Sequence, residues 1–348
     1  MAYKIIQWSS GNVGKSSIAT IANRKDLKLV GLYVYNPDKV GCDAGEIAGI
    51  EPLGVKACND KAKLVAMDAD CVIHMPLPSL VYGEDPNEDL DTICELLASG
   101  KNVVTTVGYM YPKIHGSKVM NRLKTACRRG GSSFHSTGVN PGWLGDILPL
   151  MMSGISQRID QIHIREITNF EYYPSPEVVL DMMGFGHTPK EFKQHASRYT
   201  HWLSGLFRES IQMVADGLDL KLDSIAEVSK RELAKESIEV AAGTLKKGTV
   251  AGQHWEWAGM VDNKKVIVHE TVWRMHDSVG EKWPRGKHSI SIKGNPDMYL
   301  DFGARWNNDV LLSTAVHAVN AVSYVCEAPA GVRTLLDLPM ITARGAAR

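Results

Sequence analysis

The stretch Tyr3-Lys4-Ile5-Ile6-Gln7-Trp8-Ser9-Ser10-Gly11-Asn12-Val13-Gly14-Lys15-Ser16 decides the fold. Ile5, Ile6 and Trp8 read as one buried strand running into a glycine turn that opens a helix, the way a dinucleotide-binding chain begins. In such a turn Ser9, Ser10, Gly11, Asn12 and Val13 bring backbone N–H groups of the helix N-terminus to a pyrophosphate with no side chain between. Ser9 stands where the first glycine of G-x-G-x-x-G is expected. The same residues also fall one glycine short of G-x-x-x-x-G-K-[ST], a phosphate loop in which Lys15 reaches the β/γ-phosphates and Ser16 holds Mg²⁺. That alternative requires a later apolar strand ending in Asp. Cys71-Val72-Ile73-His74 ends in His and Asn102-Val103-Val104 in Thr105-Thr106, so the dinucleotide reading is preferred.

From this start, strands and helices alternate to about residue 136. Strands are predicted at 3–8, 28–35, 70–74, 102–106 and 132–136, with helices such as 13–23, 87–99 and 117–129 between them. This is the α/β pattern of a Rossmann-type doubly wound parallel sheet. Past Thr137 the texture becomes alternating, at 159–168, 222–231, 237–246, 249–261 and 265–275, which predicts a second, α+β domain with a mainly antiparallel sheet. Asp262-Asn263-Lys264 reads as a hairpin turn within it. Residues 190–217 have helical spacing, with Phe192, Trp202, Leu203, Leu206, Phe207, Ile211 and Val214 on one broad face. A final helix at 309–327 stops at Ala328-Pro329-Ala330-Gly331 and returns to the first domain. The expected division is therefore 1–137 for the dinucleotide-binding domain, completed by 308–348, and 138–307 for a substrate and dimerisation domain.

The 348 residues are 44% hydrophobic, and basic and acidic residues balance at 39 each, so charge suggests neither nucleic acid nor an anionic membrane as partner. Cys42, Cys58, Cys71, Cys94, Cys127 and Cys326 form no C-x-x-C pair; such dispersed thiols fit a reduced cytoplasmic protein without a metal site. A strand begins within a few residues of Met1, and the apolar stretch at 311–326 carries His317 and Asn320, so neither a signal peptide nor a membrane span is expected. Seven of the eight tryptophans lie at 143 or beyond. With Met151, Met152, Met182 and Met183 they fit either core packing or a pocket for a small, mostly apolar substrate.

Gly41-Cys42-Asp43-Ala44-Gly45-Glu46-Ile47-Ala48-Gly49 follows the second strand and resembles a segment of the dihydrodipicolinate reductase family. Val103-Val104-Thr105-Thr106-Val107-Gly108-Tyr109 resembles that family's nicotinamide-contacting loop, and Ser136-Thr137-Gly138-Val139-Asn140 its domain junction. The chain is more closely similar to 2,4-diaminopentanoate dehydrogenase and related amine dehydrogenases, through Thr137-Gly138-Val139-Asn140-Pro141-Gly142, His317-Ala318-Val319-Asn320-Ala321 and Ala328-Pro329. The resemblance implies this fold, nicotinamide chemistry and a homodimer. Two departures bear on the reaction. The His pair and Lys that follow a strand-ending Glu in dihydrodipicolinate reductases are replaced by Glu166-Ile167-Thr168-Asn169-Phe170-Glu171-Tyr172-Tyr173-Pro174-Ser175-Pro176. The Glu expected in amine dehydrogenases soon after the Asn-Val-Val strand is replaced by Gly108-Tyr109-Met110-Tyr111.

A neutral phenol cannot neutralise an ammonium group, but it can donate a hydrogen bond to a carbonyl oxygen as charge develops there. The residues thus point first to an NAD(P)(H)-dependent oxidoreductase moving hydride to or from a carbonyl or alcohol carbon. Amine dehydrogenation or imine reduction, with Glu166, Glu171 or a water supplying the missing carboxylate, is the alternative; a non-catalytic nicotinamide-binding sensor is a third. Tyr109 is the first choice of proton donor, and the resemblance adds Tyr111, Asn140, Asn169 and Tyr173 around the cleft. Tyr35-Asn36-Pro37-Asp38-Lys39 has no acid immediately at the strand end, so Asn36 and Lys39 can accept a 2′-phosphate, which favours NADP(H) with NAD(H) as the alternative. Thr105 and Thr106 are expected to face the nicotinamide ribose or ring, and Asn320 either to reach the carboxamide or to make an interhelical hydrogen bond. Trp255, Trp257, Trp273 and Trp283 motivate a homodimer interface on the sheet at about 222–304, against the alternative that all four pack within one subunit.

Overall fold

The computed structural model describes residues 2–195, 197–303 and 309–346. In chain order its elements are β1 (Tyr3–Trp8), α1 (Asn12–Ala22), β2 (Leu27–Tyr33), α2 (Ala44–Ala48), β3 (Ala57–Cys58), α3 (Lys61–Ala66), β4 (Cys71–His74), α4 (Ser79–Tyr82), α5 (Glu88–Ala98), β5 (Asn102–Thr105), α6 (Ser117–Gly130) and β6 (Ser133–Ser136). There follow α7 (Leu148–Ser153), β7 (Arg158–Asn169), α8 (Pro189–His195), α9 (Ser197–Gly217), β8 (Ser224–Leu233), β9 (Ile238–Val240), β10 (Gly243–Leu245), β11 (Val250–Val261), β12 (Lys264–Arg274), β13 (Ser289–Asn295) and β14 (Met298–Asp301). The chain closes with α10 (Val310–Glu327) and β15 (Gly331–Val332). It divides into two compact units, Met1–Trp143 with Asn308–Arg348, and Leu144–Asn307. The boundary expected at 307/308 falls outside the described residues.

The first unit is a seven-stranded sheet in the order β15-β6-β5-β4-β1-β2-β3, with every pair parallel. Strand order reverses between β1 and β4, the switch point outside which ligands bind in doubly wound sheets. Ile5, Ile6, Val72, Ile73, Val103 and Val104 are fully buried, as strands covered on both faces require. One face packs Ile5, Leu29, Leu32, Ile73 and Val104 against Ile18 and Ile21 of α1 and Ala318, Val322 and Val325 of α10. The other packs Ile6, Val72, Val103 and Phe134 against Ile93 and Leu97 of α5 and Leu123 and Cys127 of α6. The apolar helix α10 is long enough by composition to cross a membrane, but here it forms part of this core. The Gly41–Gly49 segment has a local job: Asp43 and Glu46 form a capping box at α2, and Gly49 ends that helix at φ 75°.

The second unit holds a six-stranded sheet in the order β14-β13-β7-β12-β11-β8. It is mainly antiparallel, as expected, except that β7 and β12 run parallel. Asp262 and Asn263, at φ 48° and 59°, make the tight β11–β12 turn, the conformation a two-residue hairpin loop demands. The stretch expected as one strand at 237–246 instead folds back at Ala241-Ala242 into the separate β9–β10 ladder. The helical region expected at 190–217 is helical in α8 and α9, on either side of residue 196, which lies outside the described residues.

The tryptophans of the second unit pack as follows. Trp257 stacks on Phe207 of α9 at 4.2 Å and on Trp255 at 5.5 Å, and its indole donates to Ser204 Oγ at 3.3 Å. Trp255, Trp257 and Trp273 are buried within one subunit, while Trp283 sits half-buried beside His254. Trp255, Trp257 and Trp273 thus follow the alternative of packing within one subunit, covered by α9 and the neighbouring loops.

Candidate active site

In the first unit the β1–α1 turn is built by close approach. Gly14 is obligatory, because a Cβ there would lie 2.3 Å from the Ser9 carbonyl oxygen. Ser9 itself adopts φ 83°, the conformation the missing first glycine would provide, and is pinned by Ser9 N donating to Tyr33 O at 3.0 Å and Gln7 Nε2 donating to Ser9 O at 3.1 Å. The chain thus departs from the glycine pattern in residue type but not in backbone path. Gly11 is the N-cap of α1, with no side-chain cap, no acid in the first turn and nothing within 4 Å of where its Cβ would be. The first-turn N–H groups at Asn12 and Val13 lie on exposed or half-exposed ground, an approach that fits an anionic pyrophosphate. By contrast Ser16 Oγ turns back to donate to Asn12 O at 3.2 Å, which does not suit a Mg²⁺ ligand.

Lys39 reaches over this turn, its Nζ 3.3 Å from both Ser10 O and Ser10 Oγ. Burial first and the nearby Lys15 second lower the Lys39 pKa, so two cations share the turn with no acid among its first-turn residues. Asn36 Oδ1 accepts from Asp38 N at 2.8 Å and caps the short 3₁₀ turn Pro37–Lys39; this leaves the donor end of its amide unneeded by the cap. Trp8 stacks on Tyr33 at 4.1 Å, Tyr33 meets Tyr35 edge-on at 5.0 Å, and the Trp8 indole donates to the Tyr35 hydroxyl at 3.2 Å. The residues present therefore fit a dinucleotide.

At the carboxyl ends of β4 and β5 the structure separates Thr105 from Thr106. Thr105 is fully buried, donates to His74 O at 3.1 Å and pairs with His74 Nδ1 at 3.0 Å; with no exposed surface, it is better placed to join the strands than to meet a ligand. Thr106 is the half-exposed member. Burial lowers the His74 pKa to about 3, so the ring is neutral. Tyr109 follows at φ 66°, a strained conformation for a bulky residue, with its ring packed on the α5/α6 core and edge-on to His115 at 5.5 Å. Tyr111 is buried, and Asn140 lies half-buried ahead of Pro141. Asn320 bonds to the turn after α1: its Oδ1 accepts from Arg24 Nη1 at 2.9 Å, and Arg24 is clamped on Asp26 by two bonds at 2.7 Å.

In the second unit the end of β7 carries a carboxylate among rings. Glu166 Oε1 accepts from the Trp273 indole at 2.7 Å, and Phe170 lies 6.5 Å from Trp273, 5.6 Å from Tyr173 and 6.2 Å from Phe185, centre to centre. Burial raises the Tyr173 pKa. Asn169 is exposed and occupied locally: its Oδ1 accepts from Glu171 N at 2.9 Å and its Nδ2 donates to Asp277 Oδ1 at 3.1 Å. Nearby, Ser210 donates to Asp146 and meets His269 Nε2 at 2.9 Å, all three buried. On the opposite sheet face Glu270 accepts from Arg165 at 2.7 Å, His163 at 2.9 Å and His254 at 2.8 Å. Burial alone would raise the Glu270 pKa; these bonds outweigh it and lower it. No signal short of the strand register could have exposed the His74–Thr105 or Ser210–His269 pairs. Among the described residues no group of three His, Cys, Asp or Glu is arranged to hold a metal.

The family profile described as the 2,4-diaminopentanoate dehydrogenase C-terminal domain matches residues 143–347, and that of the dihydrodipicolinate reductase N-terminus matches residues 5–84. An amine dehydrogenase from Streptomyces virginiae is 30% identical over 355 residues, covering 98% of this chain and 97% of its own. The 2,4-diaminopentanoate dehydrogenase of Acetoanaerobium sticklandii is 26% identical over 244 residues, 69% of this chain and 67% of its own. Among solved structures, an amine dehydrogenase from Mycobacterium smegmatis matches with TM-score 0.81 at 20% identity, covering 99% of this chain and 98% of its own, a likeness of fold. The chain belongs to the 2,4-diaminopentanoate dehydrogenase family and is an NAD(P)-dependent oxidoreductase.

Proposed function

We propose that the protein interconverts a small, mostly apolar amine with its ketone or imine, with NADP(H) as the preferred cofactor. The observation that carries this reading is the 30% identity to an amine dehydrogenase along 98% of the chain. Ser9 to Val13 would hold the pyrophosphate, which the open N-terminus of α1 supports, and Asn36 and Lys39 would take the 2′-phosphate. Thr106 would line the nicotinamide with Tyr109 and Asn140 of the same unit, and Tyr173 would contact the substrate. When bound, the cofactor exchanges a hydride with that carbon; the chain's own part is to position the substrate and move its proton. Ammonia-dependent oxidation of NADPH in the presence of a small ketone, with amine as product, tests the reading, and alcohol as the only product overturns it.

A second reading, exchange between a ketone and its alcohol, is favoured by one feature: residues 106–116, which follow β5, contain no carboxylate, while Tyr109 offers a phenol there. A homodimer is proposed through the sheet face opposite α9, where Val228 and Tyr299 are 52% and 69% exposed around the Glu270 cluster.

A further inference from the structure

We propose that Cys71 and Cys326 form a modification site, a dithiol that a hydroperoxide converts to an intrachain disulfide, latching the last turn of α10 to the first residue of β4. Both cysteines belong to the first unit, and neither has a part in the proposed reaction.

Cys71 is fully buried in the core that α10 covers, while Cys326 packs against the rim of that core and is half-exposed. Cys326 Sγ lies 4.0 Å from the carbonyl oxygen of Asp70, whose peptide group leads directly into Cys71. Cys71 Sγ in turn lies 3.7 Å from Val72 O. The two thiols also hydrogen-bond to each other; that bond first, and burial second, push the Cys71 thiol well above its ordinary range. Thiols are weak donors, so their carbonyl contacts yield at little cost when the sulfurs turn towards one another. Cys94 and Cys127 provide the contrast. They sense each other's charge across α5 and α6, but burial is the first cause that pushes Cys127 up to about 11, and no bond between those two thiols contributes.

The difference in burial assigns the roles. Cys326 is the sulfur that a peroxide in solvent reaches, and Cys71 keeps its proton until the second step. The Cys326 thiolate attacks one peroxide oxygen; the S–O bond forms, the O–O bond breaks, and the departing hydroxide takes up a proton to become water. Cys71 Sγ then attacks the sulfur of the Cys326 sulfenic acid. The S–S bond forms, the S–O bond breaks, and the hydroxide leaves as water with the Cys71 proton. Each sulfur loses one electron and each peroxide oxygen gains one. A small thiol reverses the reaction by exchange. Strand β4 runs parallel to β1 with Cys71 beside Ile5 and His74 beside Trp8, so Cys71 lies at the end away from the Ser9–Val13 turn. The latch joins residues far apart in sequence, and should therefore stabilise the fold without altering cofactor affinity.

The test is to treat the full-length protein with hydrogen peroxide, block the remaining thiols with N-ethylmaleimide and map the peptides by mass spectrometry. Two of the six free thiols should be lost, and the peptides holding Cys71 and Cys326 should be joined within one chain. The melting temperature should rise by about 5 °C or more and return with dithiothreitol, with NADPH affinity unchanged throughout. Cys326→Ser, at a half-exposed position, should abolish both the cross-link and the shift, whereas Cys94→Ser should keep both. Six thiols that survive peroxide, a Cys326 that stops at the sulfinic acid, or a cross-link that persists in Cys326→Ser overturns the site. A Cys71–Cys326 bond that leaves the melt unchanged overturns the latch.

Discussion

Lys39 donates to Ser10 twice, to its carbonyl and its hydroxyl at 3.3 Å each, and so places a cation from the 3₁₀ turn after β2 directly over the turn that opens α1. With Lys15 close enough to lower its pKa, Lys39 stands where a phosphate would relieve repulsion as well as gain hydrogen bonds. Lys39→Ala should weaken NADPH binding about tenfold, the loss of one charge-assisted bond, and NADH binding much less. Asn36→Asp should likewise disfavour NADPH by bringing an anion to the 2′-phosphate. Dissociation constants for both cofactors check this; equal NADPH affinity before and after Asn36→Asp counts against it.

Ser9 holds a backbone conformation that glycine adopts at no steric cost. Ser9→Gly should raise stability by up to about 1 kcal/mol with cofactor affinity intact, because the left-handed strain is released. Gly14→Ala should do the opposite: a methyl group 2.3 Å from the Ser9 carbonyl forces the helix away from β1, at a cost of about 3 kcal/mol, and should abolish cofactor binding. Thermal melts with and without NADPH separate the two outcomes.

Four buried histidines make stability sensitive to mild acid. Burial lowers the pKa of His74, His269 and His317 to about 3 and of His135 to about 4, against about 6.5 in an unfolded chain. Below pH ~6.5 the unfolded state binds more protons than the folded one. The stabilising term is therefore complete above that pH and is lost as pH falls towards 3–4, at about 1 kcal/mol per pH unit for each ring. Urea melts between pH 7.5 and 5.0 should show this loss before ordinary carboxylates titrate. A midpoint that stays constant to pH 5.0 contradicts it.

Trp257 belongs to the subunit core, stacked between Phe207 and Trp255. Trp257→Ala should cost about 3–5 kcal/mol while leaving the mass of the folded species unchanged. The proposed dimer face lies opposite, so Val228→Glu and Tyr299→Glu should shift the mass towards monomer with little effect on the melt. Light scattering at micromolar concentration checks both, and a monomeric wild type removes the dimer.

The first unit was largely legible because its signals are local: the strand Ile5–Trp8 meets Gly11 and Gly14 at a fixed spacing; in the second unit Asp262-Asn263 likewise announces the β11–β12 turn. Ser9 was less so, since a serine carries no mark of the φ it is forced to adopt by Tyr33 and Gln7. The parallel pairing of β7 with β12 was not legible, because it joins strands about a hundred residues apart and alternation does not encode direction. Thr105 and Asn320 show the same limit at the site. Each is polar and lies in a suggestive motif, but its partner, His74 or Arg24, comes from another element. Glu166 was visible as a candidate; its bond from the indole of Trp273 was not, because the neighbouring strand supplies it.

The most direct measurement of the proposed function is product analysis after incubating the purified protein with butanone, NADPH and either ammonium or sodium chloride at equal ionic strength. Amine dehydrogenase chemistry predicts NADPH consumption that requires ammonium and yields sec-butylamine. Consumption at the same rate in sodium chloride, with 2-butanol as the product, would contradict it.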